Sequence, residues 1–567
     1  MKLRMKALAF VLALMCMISM IPAFVVSAEE AAPLHIEFTP EQTEYYNADE
    51  GKTYIIIRTP EQMNEYMALP DKAGRYNNYI LANDLDYTGK NFSAICTAGT
   101  TFDGNGYAIF GFELNPGNAD MRSFGADNVG TNVLRNVTVG LPNAPIHGYV
   151  TNTGKSNGFI YGYSNAKHIV ENVTVYGVMH GDVSGTTGGL FGNIKGTMTA
   201  KNCRFYGTVN NTGNPAGGIM GKANSLTLTM ENCVNYGNIT NPSKDTGGII
   251  GNVSGDSKGT VTGCVNFGNV NGGSTAGIIA SYNPNAKAEM AFTISNCVNF
   301  GSANGGSNTG GILGWINTGR YLTIENCANV GSISSGGKAA GIAAMSSNQL
   351  KLDNCASFAA VAGKETETNA LLGVIDDGQT PAQATNLFYT PLTVTSTDTV
   401  TGTAKTLEEG LAYMNEKYAS LVGNMLLNSD GNGIVLANPT FVGVQTSAAV
   451  EGKMKVRFVA TLGDTLRYSA VGFNVTLKDQ GTVNKECNSV YRKLLSTDAQ
   501  GFTSEVSASD LGGVYIFALA IENVPAEGVV VFTVTPYAKD LDGTTVYNGT
   551  SYEITFNNGV YVGAARA

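Results

Sequence analysis

The segment Glu231–Gly237 reads Glu-Asn-Cys-Val-Asn-Tyr-Gly and recurs almost unchanged at Thr262–Gly268, Ser295–Gly301 and Glu325–Gly331. A second block, Gly-Gly-Ile-Ile-Gly, begins at Gly247 and alternates with the first, with close copies at Gly188–Gly192, Gly217–Gly221 and Gly310–Gly314. The cysteines at positions 203, 233, 264, 297, 327 and 355 are therefore 30, 31, 33, 30 and 28 residues apart. A nearly fixed period of this size indicates a stacked array of structural repeats.

Each period contains short β-prone runs, such as Leu226–Met230 and Leu322–Ile324, separated by Gly, Asn and Ser. No period offers the apolar spacing of a helix. Short strands that cannot cover their own apolar face must pair with those of the next repeat. We therefore expect an all-β chain built on a parallel β-helix, a solenoid of about 30 residues per coil.

The length and net charge of the chain limit the number of domains and the classes of function that it can have. The chain has 567 residues, 35 Lys plus Arg against 45 Asp plus Glu, and a formal net charge of −10. This length predicts two or three domains. Because no basic cluster is present to neutralise phosphates, the sequence argues against nucleic-acid binding.

The first residues have the pattern of a secretory signal. Met1–Lys6 carries three positive charges, Ala7–Val26 is almost wholly apolar, and Val26-Ser27-Ala28 is typical of a signal peptidase site. We expect residues 1–28 to be removed, leaving a secreted or cell-surface chain without a membrane span. A retained anchor is the alternative, because about 20 apolar residues can cross a bilayer.

The remaining chain divides into segments that differ in composition and residue pattern. We expect an N-terminal cap with a short helix over 29–101, where Thr59, Pro60 and Gln62 form a helix start. Parallel β-helix repeats fill 102–390, and a cap or linker with a second helix fills 391–438, beginning at the capping box Thr406–Glu409. Alternating runs over 439–567 predict an antiparallel β-sandwich of immunoglobulin-like type.

These features resemble a known group. Gly-Gly-Leu-Phe-Gly at Gly188–Gly192, with Ile80–Asp86 leading to Phe102–Gly106, resembles the GLUG-repeat and pectate-lyase-like right-handed parallel β-helix proteins of bacterial surfaces. That superfamily contains polysaccharide lyases and hydrolases as well as adhesins without chemistry. The resemblance thus implies an architecture and leaves the activity open.

Two files of repeated residues look structural. Earlier coils carry Val137 and Val173 where later coils carry cysteine, so this position requires a small apolar side chain. The sequence favours a buried thiol ladder over disulfides between coils or a metal site, and we expect no metal or cofactor. The cysteines in question are Cys203, Cys233, Cys264, Cys297, Cys327 and Cys355. The preceding asparagine tolerates a left-handed backbone and predicts an amide ladder through Asn172, Asn202, Asn232, Asn296, Asn326 and Asn354.

Two other files are candidate sites. An aromatic file lies three residues beyond the cysteine position, at Tyr176, Tyr206, Tyr236, Phe267 and Phe300. Facing outward it would bind sugar rings or a partner, and facing inward it would fill the core, which the change from Tyr to Phe favours. Glu325 and Asp353 would stack about 5 Å apart, near the carboxylate separation of retaining glycosidases. They are the candidate catalytic residues, although a solvated surface pair is the simpler interpretation.

The leading hypothesis is a non-enzymatic adhesin or binding protein whose partner is an extracellular glycan or a surface protein. A repetitive, charge-poor rod offers many equivalent shallow sites, whereas an enzyme gathers unlike groups in one irregular patch. A polysaccharide lyase or glycoside hydrolase on the same scaffold is the first alternative. A structural spacer is the second.

Overall fold

The computed structural model describes residues 36–117, 119–126, 130–141, 144–149, 154–180, 185–285, 291–345, 347–364, 367–373, 381–391, 402–422, 425–427, 433–436, 439–447, 449–462, 468–477, 482–487, 502–504, 515–540, 546–549 and 551–566. The expected signal peptide lies outside these residues. The chain divides into two compact units, Pro33–Gly410 with Leu427–Ile434 and Leu411–Leu426 with Val435–Ala567.

The first unit contains a parallel β-solenoid of about nine turns, regular over residues 95–389 with roughly 30 residues per turn. This confirms the predicted parallel β-helix. Each coil passes through five strand positions, which we name columns A to E, and like columns pair in parallel from coil to coil. Column A ends at the repeated asparagine, column B follows the cysteine, column C comes next, column D holds the Thr-Gly pairs, and column E follows the Gly-Gly block.

The strands of column A also extend into the predicted N-terminal cap, because Lys52–Ile57 pairs in parallel with Asn78–Leu81. Column A contains Lys52–Ile57, Asn78–Leu81, Thr101–Asp103, Thr131–Val139, Lys167–His180, Phe191–Lys201, Met220–Glu231, Lys258–Thr262, Phe292–Ser295, Leu322–Glu325, Leu350–Asp353 and Gln383–Thr385. Some of these strands are long enough to continue into a neighbouring column.

The other columns consist mostly of shorter strands. Column B contains Leu85–Asp86, Ala108–Phe110, Arg204–Asn210, Val234–Asn235, Val265–Asn266, Val298–Asn299, Ala328–Asn329, Ala356–Ser357, Phe388–Tyr389 and Thr403–Ala404. Column C contains Glu113–Leu114, Ile146–Tyr149, Asn238–Asn241, Val270–Gly272, Ala303–Gly305, Ile333–Ser335 and Val361–Ala362. Column D contains Asn157–Gly158, Thr187–Gly188, Ala216–Gly217, Thr246–Gly247, Thr275–Ala276, Asn308–Gly310, Lys338–Ala340 and Thr368–Asn369, and column E contains Tyr161–Ser164, Ile250–Gly255, Ile279–Pro284 and Leu313–Ile316. Glu44–Asn47 forms an antiparallel hairpin with the first strand of column A, and Ile95–Thr97 pairs in parallel with Phe124–Ala126.

The repeated asparagines make the turn between columns A and B. Their φ angles are all positive, between 50° and 55°, at Asn136, Asn172, Asn202, Asn232, Asn296, Asn326 and Asn354. Gly263 takes the same role in its coil, with φ of 64°. Amide hydrogen bonds run between coils, from Asn202 Nδ2 to Asn172 Oδ1 at 3.0 Å and from Asn354 Nδ2 to Asn326 Oδ1 at 2.5 Å.

The six repeated cysteines are completely buried free thiols. Each Sγ donates to the backbone carbonyl oxygen two residues earlier, at 3.3 to 3.6 Å. They pack in one continuous apolar core with Val137 and Val173. The thiol is therefore accommodated as a small apolar group with a local hydrogen bond.

A second, inner asparagine ladder joins the two repeated blocks. Asn235, Asn266, Asn299 and Asn329 are fully buried, and each of the first three donates its Nδ2 to the Oδ1 of the next at 2.8 Å. Each Nδ2 also donates to a glycine carbonyl two residues later, at 2.9 to 3.0 Å. The second glycine of the Gly-Gly block lies against this ladder, because a Cβ on Gly248 would be 2.3 Å from Asn266 Cγ. The two blocks recur together because they contact each other.

Helices begin where the capping patterns predict them. Helix α1, Pro60–Met67, is capped by Thr59, whose Oγ1 accepts the N–H of Gln62 at 3.2 Å, and is followed by a 3₁₀ helix at Pro70–Tyr76. Helix α2, Leu407–Val422, has a reciprocal capping box in which Thr406 and Glu409 exchange hydrogen bonds of 2.8 and 3.2 Å. Short strands at Met425–Leu427 and Ile434–Leu436 follow it.

The second unit contains two antiparallel sheets, as predicted. One sheet contains Thr440–Ser447, Lys453–Leu462, Phe502–Ser504 and Tyr515–Pro525, and the other contains Tyr468–Leu477, Thr482–Cys487, Val529–Asp540, Val546–Asn548, Tyr552–Asn557 and Val560–Arg566. They share one core, in which the rings of Phe458 and Phe532 from opposite sheets lie 5.3 Å apart. The immunoglobulin-like type of this module stays a prediction.

Candidate functional site

The outer side of column A carries a straight file of threonines. Strand register aligns one threonine from each of five consecutive coils, and we call them the threonine file: Thr199, Thr229, Thr260, Thr293 and Thr323. All five side chains are partly or fully exposed, whereas the flanking residues of each strand, such as Leu228 and Met230, are buried in the core. Since adjacent strands are about 4.8 Å apart, the file presents hydroxyl groups at a regular spacing.

A charged file runs beside the threonine file, two residues further along each strand. Register aligns Glu171, Lys201, Glu231, Thr262, Ser295, Glu325 and Asp353. Lys201 and Glu231 form an ion pair of 2.9 Å, and the hydroxyls of Thr262 and Ser295 lie 3.0 Å apart. Most groups in this file therefore interact with the coil above or below.

The structure places Glu325 and Asp353 side by side in this charged file, as the sequence predicts. Asp353 Oδ1 accepts hydrogen bonds from Thr385 at 2.7 Å and from Asn386 at 2.9 Å. These bonds lower the pKa of Asp353, so it is held as a carboxylate. A general acid for glycoside cleavage needs a raised pKa instead, and this site does not provide it for Asp353.

The aromatic file occupies the outer side of column B, because it alternates with the buried inner asparagines. Tyr176 and Tyr206 are only 6% and 3% exposed, while Tyr236, Phe267 and Phe300 are partly exposed. The file is thus neither interior packing of the coil nor a fully open strip. Tyr176 and Tyr206 do not meet the condition of exposure on which their predicted binding role depends.

The ring geometry further limits what the aromatic file can bind. Consecutive rings lie 4.4 to 5.0 Å apart with interplanar angles of 5° to 23°, so each ring stacks on the next. Stacking covers the π faces and leaves ring edges toward solvent. Sugar binding by face stacking needs the covered surface, so this file is better suited to contacts between coils.

A cavity of about 600 Å³ lies in the N-terminal part of the solenoid, outside the repeats. Stacked rings of Phe92 and Phe112, 3.9 Å apart, form part of its wall. Lys90, Glu113, Asp120 and Arg122 also line it. Lys90 pairs with Glu61 at 3.1 Å and Asp120 accepts the Ser156 N–H at 2.7 Å, whereas Glu113 and Arg122 form no ion pair within the described part of the chain. This cavity could not be predicted from the sequence, because its lining residues belong to no repeat or motif.

Histidine is rare in the chain, and two clusters contain it. His168 is 1% exposed, its Nε2 lies 2.7 Å from Ser164 Oγ, and burial lowers its pKa to about 4. This Ser-His contact lies inside the coil and cannot reach a polymer. His147 and His180 lie on the outer side, with Nδ1 and Nε2 only 2.7 Å apart.

Among the described residues, no group of three or more His, Cys, Asp or Glu side chains is arranged to hold a metal ion. No helix in this part of the chain has the length and apolar character needed to cross a bilayer.

Comparisons with known proteins identify no family for the chain. No family model matches the chain, and no curated protein matches it. A solved structure that does match is the crystal structure of "a putative immunoglobulin A1 protease from Bacteroides ovatus", with 17% identity and a TM-score of 0.30 over 67% of this chain and 91% of that one. A likeness this weak carries no information about activity.

Proposed function

We propose that this chain is a secreted or cell-surface bacterial binding protein that contacts an extracellular glycan through the outer side of column A. The observation that carries the proposal is the threonine file beside the charged file, both in register over successive coils. Hydroxyl, carboxylate and ammonium groups are suitable hydrogen-bonding partners for sugar hydroxyls. A surface that only binds a ligand also needs no set of catalytic side chains gathered in one place.

Regular spacing favours a polymer over a small ligand. The same hydroxyl is presented about every 4.8 Å, so an extended chain can form several weak contacts at once. Once the first contact has formed, the polymer is held at a high effective concentration beside the other sites. Contacts that are individually weak then add together. A glycan without anionic groups suits the charged file, because the carboxylates of the file outnumber its one ammonium group, Lys201.

The test removes hydroxyl groups from the threonine file and leaves the β-strands intact. A triple variant Thr229→Val, Thr260→Val and Thr293→Val keeps β-branched side chains of similar shape. We expect at least a tenfold loss of binding to the glycan that wild type selects on an array. The matched control is Thr208→Val with Thr240→Val, which changes two partly exposed threonines, one in the end of Arg204–Asn210 that pairs with column C and one in column C itself. Equal binding by the triple variant and wild type would refute the proposed face.

A second candidate function is supported by the cavity near the N-terminal end. Its acidic and basic side chains are the unlike, non-repeated groups that a polysaccharide lyase or glycoside hydrolase requires. Reducing-end and unsaturated-product assays on acidic polysaccharides test it. Turnover that disappears in Glu113→Gln and Arg122→Gln would place an enzyme here, whereas turnover lost in Glu325→Gln and Asp353→Asn would place it in the charged file.

The finer assignments belong to the same proposal. We assign the repeats to the GLUG type and the C-terminal sheets to an immunoglobulin-like spacer or partner-binding module.

Mass spectrometry of the mature protein from culture medium tests secretion, with Glu29 expected as the first residue. If the array shows no binding and the assays show no turnover, the structural spacer becomes the leading hypothesis.

A further inference from the structure

Two of the four histidines in the 567-residue chain meet nitrogen to nitrogen. His147 Nδ1 lies 2.7 Å from His180 Nε2, with the ring centroids 4.9 Å apart. Both side chains are partly exposed, and Tyr149 stacks on His180 at 4.9 Å. We refer to His147 and His180 as the histidine pair.

The fold creates this contact where two neighbouring coils pair. Strand Ile146–Tyr149 runs parallel to the end of Lys167–His180, with Tyr149 opposite His180 and His147 opposite Val178. His147 and Tyr149 are two residues apart and therefore lie on the same side of their strand. The later coils carry Thr208 and Asn238 in register with Val178, so the imidazoles are not part of the repeat. We therefore expect the histidine pair to have a function that is specific to these two coils and is not shared by the repeats.

The contact geometry suits a metal ion. A hydrogen bond between two imidazoles holds one proton between their nitrogens. Zinc binds imidazole nitrogen at about 2.0 to 2.1 Å, so two nitrogens on one tetrahedral ion are about 3.3 Å apart. The pair would need to open by only about 0.6 Å, which small rotations of two partly exposed rings provide. Metal binding displaces the shared proton from the contact nitrogen, and the same imidazole takes up a proton from solvent at its other ring nitrogen, so both ligands are neutral and no net proton is released.

We propose that the histidine pair binds one divalent transition-metal ion of the class that favours imidazole, namely Zn²⁺, Ni²⁺ or Cu²⁺. Ca²⁺ and Mg²⁺ are disfavoured because they select oxygen ligands. Glu113 is opposite His147 in the preceding coil and contributes negative charge close to the ion. The protein supplies two ligands, and the remaining positions stay open to water or to a donor atom of a bound partner.

This inference is independent of glycan binding at column A. The experiment is calorimetric titration of the purified full mature chain with NiCl₂, using the metal alone as the probe. We expect one saturable site in wild type and at least tenfold weaker binding in both His147→Gln and His180→Gln. His35→Gln is the control and should bind as wild type does. Absence of a saturable site, or full binding in either single variant, would overturn the proposal.

A measurement on wild type covers the case in which the variants fold poorly. Diethyl pyrocarbonate modifies exposed imidazoles, and peptide mass spectrometry locates each modified histidine. Zn²⁺ should slow modification of His147 and His180 together at least fivefold and leave His35 unchanged. Unchanged rates at the histidine pair under saturating Zn²⁺ would also refute the site.

Discussion

At the scale of the residue, the outer asparagine is held by two separate requirements, backbone conformation and an amide hydrogen bond. Asn202 has a φ of 51° and donates to Asn172 at 3.0 Å. Asn202→Ala should destabilise the solenoid by about 2 to 3 kcal/mol, adding left-handed strain to the lost bond. Asn202→Gly removes the bond but not the conformation, so the free energy of unfolding in urea should fall by only about 1 kcal/mol. Equal losses in the two variants would contradict this division.

The outer and inner asparagines also show which features of the fold could be predicted from the sequence alone. The outer asparagine was predictable because a left-handed turn selects Asn or Gly, and Gly263 replaces it in one coil. The inner ladder through Asn235 and Asn266 is equally repeated, but burying an amide is favourable only when partners satisfy it. Those partners are the same residues one coil away and a glycine carbonyl. They become known only once the coil register is known.

At the scale of the element, the Gly-Gly block is a close contact between columns. A Cβ on Gly248 would lie 2.1 Å from the Gly277 carbonyl oxygen and 2.3 Å from Asn266 Cγ. Gly248→Ala should therefore force the backbone apart and lower stability by about 3 kcal/mol. Gly306→Ala is the matched control, because its nearest neighbour would be 3.8 Å away, and it should be neutral or slightly stabilising. Thermal unfolding of both variants measures the difference, and a stable Gly248→Ala protein would contradict the packing.

The N-terminal hairpin is attached to the coils by an ion-pair network, which makes its stability pH-dependent. Arg135 contacts Asp103 at 2.6 Å and Glu50 at 2.5 Å. Burial alone would raise the pKa of Glu50, but hydrogen bonds from Tyr54 and Arg135 hold that pKa below its usual value of 4.5. The stabilisation is thus complete above about pH 4.5 and is lost as the pH falls through the lowered pKa.

Glu50→Gln tests this network. The variant should be less stable than wild type at pH 7, and the difference should shrink as the pH falls from 5 to 3, because wild type alone loses the charged contact. Urea midpoints across this pH range measure both proteins. Parallel pH profiles would show that Glu50 does not contribute.

At the scale of the whole molecule, the aromatic file and the cavity mark the limit of prediction from sequence. The period of Tyr206 and Tyr236 predicts a file, but the stacking of the ring faces depends on side-chain rotation about a known backbone. The cavity near Phe92 depends on how unrepeated segments pack, for which a repeat period carries no information. Periodic parts of this chain were predictable because each coil constrains the next, and the candidate sites that break the period were not.

The continuous core predicts how the solenoid unfolds as a whole. One apolar cluster extends from Ile57 to Leu387 and includes all six ladder cysteines, while helix α1 buries Met63 in it. Within the same unit, Gly410 packs on Phe358 in the last coils. Each internal coil covers two neighbours, so loss of one coil exposes both of them, which favours unfolding together.

Pulse alkylation in moderate urea should therefore label Cys203 and Cys355 at the same rate, with Cys96 and Cys487 reacting earlier because they are partly exposed. Labelling that proceeds from Cys355 toward Cys203 would show instead that the coils separate one at a time from the C-terminal end.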